Sequence, residues 1–163
     1  MKKRARTKKI LILLSSLFET GGIQRYNKHL CEALSQKFGD VLFKAILLEG
    51  SSEKKRERWP NIQIEPTQGF SNAFLRKTFY AFRVFLISFL SPPKCILCGH
   101  PGLSPIAFYL KKIFGLKYAV FAHGIEVWDV ISGSKRRGLE NADLIVTVSR
   151  YTKERMILNG LGG

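Results

Sequence analysis

The sequence predicts an α/β fold, a three-layer sandwich in which helices cover both faces of a mainly parallel sheet. Residues 10–14 are an unbroken apolar run, and a strand without a polar side must be covered on both faces, as in a parallel sheet. Strand and helix patterns then alternate along the chain, as strand–helix–strand units require. The pair Gly21 and Gly22 joins the first strand to the first helix, as at the start of a nucleotide-binding half-sheet.

Composition limits the class of protein. The chain has 163 residues and 45% hydrophobic content, which is typical of one globular domain with a sizeable core. Its formal net charge of +15 indicates an anionic partner, such as nucleic acid, an anionic membrane or a phosphorylated ligand. Three cysteines cannot all pair within the chain, so we expect reduced thiols and a cytoplasmic location.

The N-terminus is predicted to be a basic tail over residues 1–8, followed by a single domain over residues 9–163. The basic residues before the first apolar run imitate the start of a signal peptide. However, Glu19 and the glycine pair stand where a cleavage site would be. We therefore interpret the apolar run as a first buried strand.

The first helix is predicted over residues 23–38, because apolar residues recur there at helical spacing. Adjacent glycines let a backbone approach a ligand closely, and the N–H groups that open a helix favour an anion such as phosphate. The dinucleotide fingerprint and the P-loop are both absent from this turn. The alternative is a tight turn that binds nothing.

The next segment is predicted to contain two strands and two connections. A strand covers residues 41–48, and a charged loop covers residues 49–60. Ile62 and Ile64 alternate with polar neighbours, which favours a short edge strand. Residues 67–72 form the second connection.

Residues 73–90 predict a long helix that is too interrupted by charge to span a bilayer. One side is apolar and carries Phe79, Phe82, Phe85, Leu86, Phe89 and Leu90. The opposite stripe contains Arg76, Tyr80, Arg83 and Ile87. This helix either packs on the sheet or lies at a membrane interface, with Arg76 and Arg83 facing lipid phosphates and the aromatic side chains inserted.

A further strand is predicted over residues 94–98. Cys95 and Cys98 have the spacing of a metal motif, but residues three apart on a strand point to opposite faces and would not converge on one ion. We therefore expect two buried side chains, and no metal site.

The remaining elements are marked by helix-capping and helix-breaking residues. A helix is predicted over residues 104–114, with Pro105 in its first turn and Gly115 ending it. Strands follow at residues 117–121 and 144–148, separated by a short helix at 135–141. Ser149 is a natural N-cap for the last helix.

Polar or glycine residues follow four of the predicted strands. They are Gly21 with Gly22, His100, His123 with Glu126, and Ser149 with Arg150. The carboxyl ends of parallel strands lie at one edge of a sheet, where ligands bind. The sequence therefore predicts a ligand-binding edge.

Three motifs together resemble the N-terminal domain of family 4 glycosyltransferases, which have the GT-B fold. They are Gly-Gly-Ile-Gln-Arg-Tyr at 21–26, Ala-His-Gly-Ile-Glu at 122–126, and Ala-Asp-Leu-Ile-Val-Thr-Val-Ser-Arg-Tyr-Thr-Lys-Glu at 142–154. The resemblance implies a Rossmann-like half of a GT-B enzyme. It also implies retaining transfer of a sugar from a nucleotide-sugar to a glycan or lipid-linked acceptor, as in polysaccharide biosynthesis, without a cofactor or metal.

The resemblance also implies roles for residues at the predicted edge. Gly21 and Gly22 would lie against the donor diphosphate, and His123 would be the catalytic-site residue that contacts the transferred sugar. The acceptor side of the cleft would be formed by His100, Glu126, Trp128, Ser149 and Arg150.

The chain departs from the family pattern because the C-terminal, donor-binding domain is absent from it. We therefore expect an acceptor-side half that is inactive without that domain or a partner chain, located in the cytoplasm and peripherally on the inner face of the membrane. Two alternatives stay open: a basic nucleic-acid-binding module, and a nucleotide-binding Rossmann-like domain of another class. The core spacing of the aromatic residues weighs against the first, and the His-Gly-Ile-Glu segment weighs against the second.

Overall fold

A six-stranded sheet in which all strands are parallel forms the centre of the molecule. The structure is a computed structural model that describes residues 9–50, 59–67, 71–129, 131 and 133–161. The strands are β1 (Lys9–Leu14), β2 (Leu42–Leu47), β3 (Ile62–Pro66), β4 (Cys95–Cys98), β5 (Lys117–Ala122) and β6 (Leu144–Thr147). Their order in the sheet is β3-β2-β1-β4-β5-β6, which is the order of a Rossmann-like sheet. The predicted α/β class is confirmed.

Five helices flank the sheet. They are α1 (Gly22–Lys37), α2 (Ala73–Leu90), α3 (Ser104–Phe114), α4 (Gly133–Glu140) and α5 (Arg150–Leu158), with short 3-10 turns at Pro101–Leu103 and Ile125–Val127. The predicted bounds of α2 and α3 are confirmed, and the other predicted elements are confirmed with small shifts at their ends. The basic tail, residues 51–58 of the charged loop and residues 68–70 of the second connection lie outside the described residues.

The apolar run of β1 is covered on both faces, as its sequence predicts. Leu11 and Leu13 join a core beneath α2 and α3, whereas Ile12 and Leu14 join a second core beneath α1. All four side chains are at most 1% exposed. The first turn of the site therefore follows the most deeply buried strand.

Residues of β4 also alternate between the two cores. Ile96 and Cys98 belong to the core beneath α2 and α3, and Leu97 packs against the other. Cys95 and Cys98 therefore point to opposite faces of the strand, as predicted. Cys98 is buried but Cys95 is only half-buried, which corrects the expectation of two buried side chains.

The predicted capping residues act as helix caps. Gly115 ends α3 with a left-handed backbone, φ 68°, and Ser149 Oγ accepts the N–H of Thr152 at 3.1 Å. One cap escaped prediction: Asn72 Oδ1 accepts the N–H of Phe74 at 2.8 Å and begins α2.

Helix α2 packs on the sheet through the stripe that contains its arginines. Tyr80 is fully buried and its hydroxyl donates to the carbonyl of Ile46 at 3.1 Å. Arg76 pairs with Glu49 at 2.6 Å, and Arg83 pairs with Glu65 at 3.1 Å. These contacts correct the expectation that Arg76 and Arg83 face lipid phosphates. Both arginines instead pair with carboxylates on the side of α2 that packs on the sheet.

The apolar side of α2 points outward. Phe82 is 59% exposed and Phe89 is 63% exposed. Within the described part of the chain, every helix is too short or too polar to cross a bilayer.

Candidate functional site

The loops that carry the predicted site residues emerge from one edge of the sheet. They follow β1, β4, β5 and β6, which are four consecutive strands in the sheet. The strand order reverses between β1 and β4, so that α1 lies on one face and α3 on the other. This arrangement leaves a crevice at the carboxyl edge, the usual ligand position in such folds.

His123 is held at this crevice by two neighbouring elements. Its Nε2 lies 2.8 Å from the carbonyl oxygen of Gly99, in the loop after β4. A carbonyl can only accept, so Nε2 carries the proton and donates, which leaves Nδ1 as the nitrogen available to a ligand. The ring of Tyr26, from the second turn of α1, meets the imidazole edge-on at a centroid distance of 4.8 Å.

Glu126 shapes the loop that carries His123. Its Oε1 accepts the backbone N–H of His123 at 3.1 Å. The ammonium group of Lys135 donates to the backbone carbonyl of Glu126 at 2.8 Å and ties this loop to α4. Glu126 is therefore a positioning residue.

His100 caps the turn that follows β4. Its Nδ1 accepts the backbone N–H of Gly102 at 2.9 Å, so that nitrogen must be unprotonated. Burial lowers the pKa of His100; His123 and Lys135 lower it further, and Glu126 opposes them. His100 thus lies close to three other titratable groups at the edge, His123, Glu126 and Lys135.

Gly21 and Gly22 open α1 without a side-chain cap. The first N–H groups of the helix therefore have no partner within it and favour an anion. A Cβ atom at Gly22 would meet nothing within 4 Å, whereas one at Gly21 would collide with the side-chain oxygen of Gln24. Gln24 is itself held by the hydroxyl of Ser16 at 2.8 Å. A side chain at Gly21 would displace the Gln24 amide from Ser16, whereas Gly22 leaves the helix start open.

An open groove of about 580 Å³ runs along this end of α1. Its lining includes Gly21, Gly22, Arg25 and Lys28. The carboxylates Glu19 and Glu32 line the same groove, so its preference for an anion rests mainly on the macrodipole at the helix N-terminus, to which the two cations add positive charge. Sequence reasoning did not single them out, since they lie on the polar side of an amphipathic helix.

Trp128 and Ser149 are connected through Thr152. The indole Nε1 of Trp128 donates to Thr152 Oγ1 at 3.2 Å, and Ser149 Oγ lies 2.9 Å from the same oxygen. Both side chains therefore serve to join the loop after β5 to the start of α5. Arg150 is exposed at that helix start, on the same edge.

Besides the two cations, sequence reasoning missed Tyr26, Asn27 and Gly99. A Cβ at Gly99 would collide with the side chain of Leu14 and lie 2.8 Å from Asn27 Oδ1. Asn27 is fully buried; its amide donates to the carbonyl of Ser16 at 3.3 Å. These residues act through packing and backbone groups, and the only sequence signal was a glycine directly after a strand.

No three side chains of the types that ligate metals come together in the described ranges. The hydrogen bonds of His100, His123 and Glu126 show a site of donors and acceptors, with the cation of Lys135 beside it. Its chemistry is suited to an anionic, hydroxyl-rich ligand.

Comparison by sequence finds no relative: no protein-family model matches the chain, and no curated protein matches it. Comparison by structure gives clear matches. The chain is similar to the lipopolysaccharide outer core galactosyltransferase WaaB, with a TM-score of 0.66 and 13% identity over 94% of this chain and 43% of WaaB. It is also similar to Anabaena HepE in complex with UDP-glucose, with a TM-score of 0.63 and 14% identity over 93% of this chain and 40% of HepE.

A third similar structure is MurG from Acinetobacter baumannii, with a TM-score of 0.58 and 12% identity over 89% of this chain and 42% of MurG. The chain thus spans about two fifths of the length of each solved structure. At such identities the likeness concerns the fold alone. That fold is the Rossmann-like half of a GT-B glycosyltransferase architecture.

Proposed function

We propose that this chain is one half of a retaining glycosyltransferase of family 4, which transfers a sugar from a nucleotide-sugar to a glycan or lipid-linked acceptor. One observation carries the proposal. The contact between Tyr26 and His123 joins α1, whose start is open and uncapped, to a histidine whose Nδ1 is available to a ligand. These are groups suited to a diphosphate and to the sugar attached to it.

The donor diphosphate is proposed to lie against Gly22 at the start of α1. When the bond between the sugar and the nucleoside diphosphate breaks, the diphosphate gains negative charge. The helix N–H groups and the charges of Arg25 and Lys28 would stabilise that charge. We propose that these groups do so without a metal or cofactor. A sugar-nucleotide donor is supported by the comparisons, since WaaB is a galactosyltransferase and HepE was solved in complex with UDP-glucose.

His123 is proposed to orient the transferred sugar. Since its Nε2 is engaged with Gly99, the Nδ1 lone pair would accept a hydrogen bond from a hydroxyl group of the sugar. This bond would fix the position of the sugar in the crevice. His100, Glu126, Trp128, Ser149 and Arg150 would form the acceptor side. The cytoplasm and inner membrane face are the proposed site of the reaction.

A second Rossmann-like half is proposed to complete the cleft, either in the same polypeptide or in a partner chain. The solved structures that match are more than twice as long as this chain. A cleft with one wall leaves the reacting groups in water and loses the positioning on which transfer depends.

The test of this function is sugar transfer by the chain together with a donor-binding half, assayed over a panel of nucleotide-sugars and of glycan and lipid-linked acceptors. The informative variant is Gly22→Val, because its side chain would occupy the space proposed for the diphosphate. Gly39→Val is the matched control: Gly39 is exposed, has no positive φ and lies at the far end of α1.

We expect Gly22→Val to lower kcat/KM roughly 100-fold, since it displaces charge-assisted hydrogen bonds worth about 2–3 kcal/mol. Its melting temperature should stay near that of the parent, because a Cβ there meets nothing within 4 Å. Equal activity of the two valine variants would show that the turn does not bind the donor.

A further inference from the structure

The outward face of α2 is more apolar than the face it buries. Its exposed side carries Phe74, Phe82, Phe85, Leu86, Phe89 and Leu90, which are 39–75% exposed. Thr78 is the polar residue on this side, and its hydroxyl is engaged with the carbonyl of Phe74 at 3.0 Å. A helix face of this composition is normally covered.

Helix α3 extends the apolar surface. The ring of Phe114 lies beside Phe85 and Phe89, at centroid distances of 5.1 and 6.3 Å. Its neighbour Ile113 is 56% exposed. The surface thus spans two helices, and α2 alone is about 27 Å long at 1.5 Å per residue.

The charge around this surface has one sign. Helices α2 and α3 contain lysines and arginines but no acidic residue. Arg76 and Arg83 are paired with carboxylates on the sheet side, whereas Lys77 and Lys112 are exposed. An apolar face rich in aromatic side chains is therefore flanked by exposed positive charge, the composition of an interfacial helix.

We propose that the outward face of α2 docks on an anionic lipid bilayer, with its phenylalanines at the boundary between headgroups and acyl chains. Lys77 and Lys112 would contact lipid phosphates. The occupant is lipid rather than a second copy, because two chains of net charge +15 repel each other.

The second half of a GT-B enzyme would not cover this face. It would close over the carboxyl edge of the sheet, and α2 lies along the flat side of the sandwich. The first turn of α2 follows β3 and starts near that edge, so docking would bring a lipid-borne acceptor toward the crevice. This last step rests on the proposed function; the binding itself does not.

Co-sedimentation of the full chain with lipid vesicles tests the proposal. One set of vesicles contains about one third phosphatidylglycerol in phosphatidylcholine, and the other is pure phosphatidylcholine. The variant Phe82→Ser with Phe89→Ser removes two inserted rings. The control, Phe38→Ser with Leu158→Ser, removes two exposed apolar side chains from α1's end and α5, 43% and 76% exposed. Both pairs leave the charge unchanged.

We expect binding to the anionic vesicles, a roughly 100-fold lower partition coefficient for the Phe82/Phe89 pair, and less than about a twofold change for the control. Added salt should weaken binding but leave a part that depends on the rings. Phe89→Trp should show fluorescence that lipids brominated on their acyl chains quench. That quenching would place the side chain within the lipid.

Three outcomes would overturn the proposal. Equal loss in the two double variants would mean that the face has no special role. Binding that moderate salt abolishes and that DNA competes away equally well would identify only a polyanion patch. Sedimentation as a dimer that the Phe82/Phe89 pair breaks, without vesicle binding, would identify a second copy of the chain as the occupant.

Discussion

Helices α1 and α2 lie on opposite faces of the sheet and expose opposite kinds of side chain to solvent. Helix α1 turns Arg25 and His29 outward and buries Cys31, as amphipathic helices do. Helix α2 buries Tyr80 and exposes Phe82. The difference shows that helical periodicity separates two faces but does not decide which one packs. In α2 the side that packs on the sheet is determined by polar anchors, which are the hydroxyl of Tyr80 and the guanidinium group of Arg83.

These anchors are long-range. The hydroxyl of Tyr80 reaches the carbonyl of Ile46, and Arg83 reaches the carbonyl of Pro66 at 2.9 Å as well as Glu65. Since buried hydrogen bonds of this kind are costly to leave unmade, they fix the rotation of α2 about its axis. The exposed side of α1, next to the site, is therefore polar, whereas the exposed side of α2 is apolar and available to a partner.

The largest effect should come from truncating an inward side chain of α2, compared with truncating an outward one. Tyr80→Ala removes a fully buried ring and its hydrogen bond, so we expect a loss of about 3–5 kcal/mol in the free energy of unfolding. Phe82→Ala, at a position 59% exposed, should change it by less than about 0.5 kcal/mol. Urea denaturation measures both, and equal losses would contradict the assigned rotation.

A smaller contrast is expected between two glycines at the edge of the sheet. Gly99→Ala places a Cβ against the side chain of Leu14 and 2.8 Å from Asn27 Oδ1, so it should cost about 1–3 kcal/mol of unfolding free energy. Gly22→Ala has open space and lies within α1, so it should be neutral or stabilise by up to about 1 kcal/mol. Similar destabilisation by both would show that Gly22 is also packed.

The smallest effect concerns the pH dependence of stability. Burial lowers the pKa of His100, so between that value and the unfolded value of about 6.5 the unfolded chain binds more protons. His100 therefore contributes full stability above the unfolded pKa and loses it as the pH falls below. Protonation also removes the lone pair that accepts the N–H of Gly102.

His100→Asn should reduce the loss of stability at low pH, because asparagine keeps a cap acceptor but does not titrate. Thermal unfolding from pH 7 to pH 5 measures the slope, with His29→Asn, an exposed position on α1, as the control. A slope that His29→Asn flattens as much as His100→Asn does would refute the assignment.

The sequence was sufficient for the fold because its local signals agree with one another. Pro105 and Gly115 delimit α3, Ser149 begins α5, and the apolar run of β1 requires cover on both faces. Parallel topology then assigns His123 to the same edge as Gly22. Local patterns could not show which side of α2 faces inward, because Glu49 and Glu65 are distant in sequence.

The details of the site were less predictable for a related reason. Tyr26 occupies an apolar position of α1 by spacing, and only the folded chain brings its ring against His123. Gly99 acts through its carbonyl oxygen, which every residue possesses. Sequence reasoning identifies side chains with distinctive chemistry; it does not identify backbone groups that orient them.

The central claim is that the start of α1 binds the diphosphate of a nucleotide-sugar, next to His123. Amide chemical shifts of the isotopically labelled chain, recorded during titration with UDP and with inorganic pyrophosphate, test it most directly. The account predicts saturable shifts at residues 22–24 and at His123 for both compounds, which Gly22→Val abolishes and Gly39→Val does not. Shifts spread over the exposed lysines and arginines, with residues 22–24 unchanged, would contradict it.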